Sequence, residues 1–213
     1  MDRSSNEEVN LTMGAGRGKD RRVVRTRMVI MESFVAILQI REFTEISIID
    51  IAERANINRS TFYAHFLDKE DLLQQMVDEK LDTLTEVLIT SSGQGMYIPS
   101  PSDPDPLLLA LFEHVFAHAA FYRVLLHRNL PGQLQAKWTD AIRNGFFCRI
   151  SSLGLGQKLE VPLELLLDFI AFSTGGIIGK WLEDNCAYSP HHMALQVTRI
   201  AGFGMYPSMG MHR

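Results

Sequence analysis

The sequence predicts an all-α protein in two parts, a small helical head and a larger helical body, and three observations carry that expectation. Apolar residues recur at three- and four-residue spacings from residue 21 onward, and no stretch keeps the strict two-residue alternation of a strand. Residues 91–106, SSGQGMYIPSPSDPDP, break the pattern with four prolines and two glycines, so no helix passes through them. The stretch 47–69, SIIDIAERANINRSTFYAHFLDK, reads as two short helices joined by a tight turn. A chain of 213 residues with 46% apolar content has room for one or two domains and a substantial core.

Residues 1–20, with Gly14, Gly16 and Gly18 among polar neighbours, are expected to form a disordered arm. The net charge of -4 hides a local basic run, because Arg17, Lys19, Arg21, Arg22, Arg25 and Arg27 share eleven residues with Asp20 as the single acid. Such a run is either a solvated tail or a phosphate-contacting arm, and its place beside the two short helices favours the second, with Arg27 as a contact. From Arg21 to Ile40 a helix is expected, with Ile30, Phe34, Ile37 and Leu38 on one face and Phe43 closing the same core after a bend. The head then spans residues 21–67.

Within it, Ser47 is an N-cap and Asp50 favours the positive end of the helix dipole. Ile48, Ile51, Ala52 and Ala55 form one apolar stripe on a helix too short to stand alone. Asn56 stands where the chain must leave that helix, and Asn tolerates the left-handed conformation required there. Ile57 anchors the turn and Asn58 caps a second helix over 59–65, in which Phe62 and Phe66 point inward. The outward set is Arg59, Ser60, Thr61, Tyr63 and Ala64: a cation, hydroxyls and small side chains, a mixture suited to base edges and phosphates in a major groove. The competing use of such a pair is packing alone, as in all-α enzymes.

These residues resemble the tetracycline-repressor (TetR) family of bacterial transcriptional regulators. The matching string is Ser47, Asp50-Ile51-Ala52, Ala55, Ile57 through Tyr63, His65-Phe66, Lys69-Glu70 and Leu72-Leu73. Asn56 replaces the usual Gly, and Ile49 stands where a basic or polar residue is common. The resemblance implies a homodimeric regulator, a repressor more than an activator, whose two reading helices meet successive major grooves of a pseudo-palindromic operator in double-stranded DNA. It implies Arg59, Ser60, Thr61 and Tyr63 as base and phosphate contacts, with Ser47, His65 and Lys69 on the DNA backbone. It also implies a small-molecule effector in the body. A ligand-free co-activator that recruits another protein is the alternative.

The body, residues 68–213, begins with a helix capped by Asp68, acidic in its first turn at Glu70 and Asp71, with Leu72, Leu73, Met76, Val77 and Leu81 buried. By resemblance its tilt is the lever that moves the reading helix. One helix is then expected from Leu107 through Ala120 to Leu126. Another covers residues 133–152, with Leu134, Trp138, Ile142, Phe146 and Ile150 at four-residue steps. A further helix has Pro162 in its first turn and runs to Glu183, and the last is capped by Ser189 with Pro190 at its first position.

Ala171, Gly175 and Gly179 are four apart and Gly176 widens the strip, so one face of the penultimate helix carries almost no side chain. With Met193, Val197 and Ile200 of the last helix, this strip is expected at a dimer interface, packing within the chain being the alternative. The string GGIIGKWLEDNCAYSP resembles C-terminal domains of TetR-like regulators of Gram-positive type. His114 and His118 have a spacing that suits a metal, with His127 near, but no Asp or Cys completes a set, so no metal is expected. His114 and His118 with Phe112, Phe116, Phe121, Tyr122, Trp138, Phe146 and Phe172 are instead expected to line a largely apolar cavity between helices. No phosphate loop, nucleophile elbow or dinucleotide fingerprint with the right context is present, so neither catalysis nor a cofactor is expected. Two distant cysteines, Cys148 and Cys186, suit a reducing cytoplasm. The absence of an apolar signal core, and the charges interrupting residues 162–182, speak against secretion or a membrane span.

Overall fold

The computed structural model describes residues 5–92, 100–131, 133–152, 154 and 159–204, with side chains from residue 21 onward. Among the described residues there are helices and no strand, as the missing alternation led one to expect. The chain divides into two compact units, Met1–Met76 and Val77–Arg213.

In the first unit α1 runs Ser5–Leu38, so residues 5–20, expected to lack structure, are here the beginning of one helix. No proline interrupts residues 5–38, and each residue added to a nucleated helix gains a backbone hydrogen bond, which outweighs the poor propensity of three glycines. Ile30, Phe34, Ile37 and Leu38 are buried as their spacing requires. A single 3-10 turn, Phe43–Glu45, follows and tucks the Phe43 ring edge-on against Phe34, centroids 6.2 Å apart. Next come α2 (Ile48–Arg54) and α3 (Arg59–Tyr63), with Ile51, Ala52, Phe62 and Phe66 closing the core. Asn56 takes φ 52°, the left-handed value expected of it, and the Ile57 amide donates to Ala52 O at 3.0 Å to close the turn.

α4 (Lys69–Ser92) is capped by Asp68, whose Oδ1 accepts the Asp71 amide at 2.7 Å. The division of the chain falls inside α4 instead of before it, because the first two turns belong to the head's own network. Arg27 donates to Gln75 Oε1 at 2.8 Å, Gln75 donates to Asp71 Oδ1 at 2.8 Å, and Asp71 Oδ2 accepts the Leu67 amide at 2.9 Å.

The second unit continues with α5 (Pro106–Ala117), α6 (Ala119–His127), α7 (Leu134–Ser152), α8 (Leu163–Glu183) and α9 (Pro190–Phe203). The single helix expected over 107–126 is two, bent by 92° at His118. The His118 amide closes α5 on His114 O and Val115 O, both at 3.2 Å, while its carbonyl opens α6 by accepting the Tyr122 amide at 3.1 Å. Neither Gly nor Pro marks the break in sequence. The two helices bury different partners, α5 packing along α9 and α6 against α8, and that tertiary demand overrides propensity. Pro162 sits at the N-cap of α8, one position earlier than expected, and Ser189 caps α9 by accepting the His192 amide at 3.2 Å with Pro190 at its start.

One buried polar joint ties this unit together. Asp105 caps α5 through the Leu107 amide at 2.8 Å, donates its own amide to Thr198 Oγ1 of α9 at 2.8 Å, and pairs with Arg149 of α7 at 3.1 Å. Arg149 is buried, so this carboxylate supplies the countercharge that makes its burial tolerable.

Candidate nucleic-acid interface and the core of the body

The reading pair is set by local chemistry first. Ser47 and Asp50 form a full capping box: the Asp50 amide donates to Ser47 Oγ at 3.2 Å, and the Ser47 amide and hydroxyl donate to Asp50 Oδ2 at 2.7 and 2.5 Å. Arg41 completes the group by donating to Asp50 Oδ1 at 2.8 Å and to Glu45 O. These hydrogen bonds, the Ser47 hydroxyl's first and Arg41's next, hold the Asp50 carboxyl far below the usual carboxylate range. The Ser47 hydroxyl is therefore committed to the cap of α2, and a phosphate would have to compete with Asp50 for it.

On α3, Phe62 is fully buried while Arg59 and Ser60 are exposed, Thr61 is half-buried and Tyr63 is 49% exposed. The Arg59 guanidinium lies along the helix toward Tyr63, with Nη2 3.5 Å from the hydroxyl and Cζ 6.0 Å from the ring centroid. Their i, i+4 spacing holds the cation and the phenol on one face. His65 is half-buried with its ring 6.3 Å from Phe66. Beside the turn lies a depression of about 590 Å³ lined by Arg22, Thr26, Ala52, Glu53, Asn56, Ile57, Asn58 and Thr61, so the basic run reaches the reading pair through Arg22.

Arg27 and Lys69 are placed differently from the expected backbone contacts. Arg27 lies over the Phe66 ring at 4.8 Å while bonding Gln75. Lys69 donates to Phe43 O at 2.9 Å and Ile46 O at 2.8 Å and sits 4.6 Å over the Phe43 ring. Both are half-buried parts of the head's own packing. Sequence reasoning missed this role and that of Arg41 because the side-chain partners of Arg27 and Arg41 and the carbonyls bound by Lys69 stand between nine and 48 positions away, although Glu45 O stands only four from Arg41.

In the body the expected cavity residues separate into two clusters. His118, His114, Tyr122 and Trp138, in that order, form a run of ring contacts at 4.9, 5.8 and 5.2 Å, with Phe121 5.0 Å from Tyr122. Phe112 and Phe116 pack instead on Trp181, at 5.3 and 6.1 Å, a residue the sequence did not single out. Phe146 is half-buried and Phe172 is 66% exposed, outside any core. No group of three or more His, Cys, Asp or Glu side chains is placed to hold a metal ion among the described residues.

The small-residue strip is turned mainly toward the same chain. Ala171 and Gly179 are buried, a Cβ on Gly175 would stand 3.2 Å from Trp138 Nε1 of α7, and one on Gly179 would stand 3.5 Å from His127 of α6. Only Gly176 opens onto free space. The strip itself, with Trp138 and Phe172, lines a groove of about 890 Å³ between α6, α7 and α8, edged by Arg143, Asp168, Lys180 and Glu183. Arg143 pairs there with Asp168 and Glu164. The outer side of α8 carries Leu165, Phe169 (68% exposed), Phe172 and Gly176 at i, i+4, i+7 and i+11, a single apolar row. On α9, Val197 is buried, Met193 half-buried and Ile200 exposed. α8 is apolar and long enough to cross a membrane by length and composition, yet its Leu167, Ile178, Trp181 and Leu182 are buried as in a core helix.

Two family models match the chain. The model for bacterial regulatory proteins of the tetR family covers residues 35–76, and one for a transcriptional regulator C-terminal region covers residues 102–202. A curated relative, the uncharacterized HTH-type transcriptional regulator YxbF of Bacillus subtilis (strain 168), is 27% identical over 191 residues, 88% of this chain and 47% of the relative. The chain thus spans about half the length of that relative. Among solved structures, the transcriptional regulator FadR from Bacillus subtilis in complex with stearoyl-CoA aligns with TM-score 0.67 at 15% identity, covering 84% of this chain and 98% of that one. The TetR transcriptional regulator from Streptococcus agalactiae 2603V aligns with TM-score 0.59 at 19% identity, covering 93% and 99%. These likenesses show the fold.

Proposed function

The chain belongs to the tetR family of bacterial regulatory proteins, and from that premise we propose that it is a homodimeric cytoplasmic repressor released from a pseudo-palindromic operator by a small molecule. The observation that carries the DNA half is the division of α3 into a buried Phe62 side and an exposed side of Arg59, Ser60 and Tyr63, aligned by a fully capped α2. Arg59 is the base-reading cation, and Ser60, Thr61 and Tyr63 hold base edges and phosphates. Arg22, beside the turn, adds phosphate attraction. His65, half-buried with its ring beside Phe66, reaches the DNA backbone from the end of α3, whereas Ser47, Arg27 and Lys69 act chiefly by fixing the shape of the head.

The dimer forms through the outer row of α8, Leu165, Phe169, Phe172 and Gly176, with Ile200 and Phe203 of α9, because Leu165, Phe169 and Phe172 are exposed side by side on one helix face and Ile200 and Phe203 of the last helix are exposed too. Ala171, Gly175 and Gly179 support it from within by letting α8 lie close to α6 and α7. The effector site belongs to the aromatic run of α5, α6 and α7, and one solved relative in fold was captured with an acyl-CoA. Effector binding favours a state of the dimer that no longer fits the operator, to the extent of its differential affinity for the two states. A second reading, in which the body recruits another protein, draws on the same exposed α8 row.

The test is titration of the wild type and the Arg59→Ala, Tyr63→Ala double variant against a DNA fragment from the protein's own upstream region at two salt concentrations, with mass measured in parallel. Each lost base or phosphate contact costs about 1–3 kcal/mol, so the double variant should bind at least tenfold more weakly while the wild type binds saturably and with salt sensitivity. Equal binding by both sinks the reading. A monomeric mass with DNA binding intact moves the α8 row to a foreign partner.

A further inference from the structure

Among the described residues, two side-chain polar atoms are buried with no hydrogen-bond partner in the protein, His114 Nε2 and Tyr122 Oη. They belong to the same cluster: the two rings stand edge to face with centroids 5.8 Å apart and do not bond each other. His114 is 8% exposed and Tyr122 fully buried. A buried donor or acceptor left unmet costs about 1–3 kcal/mol, so two in one place oppose folding and call for a use other than stability. We propose that His114 Nε2 and Tyr122 Oη are the polar anchor of the effector, which is an uncharged, mainly apolar molecule with a carbonyl or hydroxyl oxygen at that point. This rests on the reading of the body as ligand-responsive.

The class follows from what the two groups offer. Burial, His118 and Lys80, in that order, pull the His114 pKa down to about 4, so the ring is neutral near pH 7 and keeps one donor and one acceptor nitrogen. Burial pushes the Tyr122 phenol far up, so it stays a hydroxyl. A cation would lose its hydration in the same burial that lowers the pKa of both His114 and His118, with Lys80 adding repulsion. A carboxylate would give up its hydration for two neutral partners, a poor exchange in an interior. An uncharged oxygen accepts from the Tyr122 hydroxyl and from an N–H of His114 without either cost. The apolar frame of the ligand meets Phe121 and Trp138, whose rings stand 5.0 and 5.2 Å from Tyr122.

The experiment uses the full-length protein, calorimetry and thermal melting, with phenol and cyclohexanone as probes and toluene and benzoate as controls. Phenol and cyclohexanone should bind at least tenfold more tightly than toluene or benzoate. Tyr122→Phe and His114→Leu should each weaken the oxygen-bearing probes at least tenfold and leave toluene unchanged. Without ligand, Tyr122→Phe should melt no lower than the wild type, since it removes an unmet hydroxyl. Three results overturn the proposal: toluene or benzoate binding as well as phenol, Tyr122→Phe binding phenol as tightly as the wild type, or Tyr122→Phe melting several degrees lower without ligand. The last would mean the hydroxyl is satisfied in the folded protein, as by a trapped water. None of these measurements needs DNA, so failure of operator binding and failure of the anchor are separable.

Discussion

Gly145 on α7 offers the sharpest quantitative test of the packing. A Cβ placed there would stand 2.8 Å from both Cβ and Cδ1 of Leu88 on α4, and 3.3 Å from its Cγ. Leu88 is fully buried, and its Cβ moves only with the backbone, so rotating the side chain cannot relieve the contact. The helices must part, against the Ser92 hydroxyl that donates to Gly145 O at 3.3 Å and Leu88 O at 2.7 Å. Overpacking of this kind costs about 1–3 kcal/mol, and the rigid contact puts Gly145→Ala at the upper end, about 3 kcal/mol. Ala gains about 1 kcal/mol over Gly in a helix interior, leaving a net loss of about 2 kcal/mol. Urea unfolding at one fixed protein concentration reads this directly. Leu88→Ala alone should lose about 2–5 kcal/mol through its cavity. In the double variant the contacts with Cδ1 and Cγ are gone but the Cβ at position 88 still stands 2.8 Å away, so only part of the loss, about 1 kcal/mol, should be recovered relative to the sum. A neutral or stabilised Gly145→Ala would refute the close approach.

Two further outcomes follow from the body. The His114 pKa is about 4 in the folded chain against 6.5 when unfolded, so the unfolded chain binds more protons between those values. Stability is therefore whole above about pH 6.5 and declines as pH falls toward 4, by at most about 3 kcal/mol from this group. Urea midpoints at pH 7 and pH 5 should converge in His114→Leu, and an unchanged gap between them would assign the acid sensitivity elsewhere. On α8, Phe169→Glu combined with Phe172→Glu should turn a dimer into monomers by sedimentation and lower operator affinity with it. Persistence of the dimer mass would remove the outer row from the interface.

What the sequence made legible is what local chemistry decides. Ser47 and Asp50 are three apart, Phe62 and Phe66 four apart, and Asn56 sits at the one step where the backbone turns left-handed, so the reading pair could be drawn from a window of 23 residues. Pro190 behind Ser189 marked the start of α9 for the same reason. The break at His118 could not be drawn, because the apolar pattern runs through it unchanged and the bend is imposed by α8 and α9. The glycines of α8 announced a close approach without saying whose helix approaches, and Gly175 and Gly179 turned out to face Trp138 and His127 of their own chain. Among the aromatic residues, composition could not separate those around Tyr122 from those around Trp181, since both sets obey the same helical spacing.

Lys69 has a consequence for how the chain is made. Its ammonium group satisfies the carbonyls of Phe43 and Ile46, which lie just before α2 and 26 and 23 positions upstream. During synthesis from the N-terminus, α2 and α3 leave the ribosome before the residue that fixes the turn in front of them. Until Lys69 has emerged, the carbonyls of Phe43 and Ile46 lack these two bonds. A fragment cut at residue 67 would carry the exposed Arg59, Ser60 and Tyr63 yet lack the clasp in front of α2, whereas one cut at residue 76 would keep it.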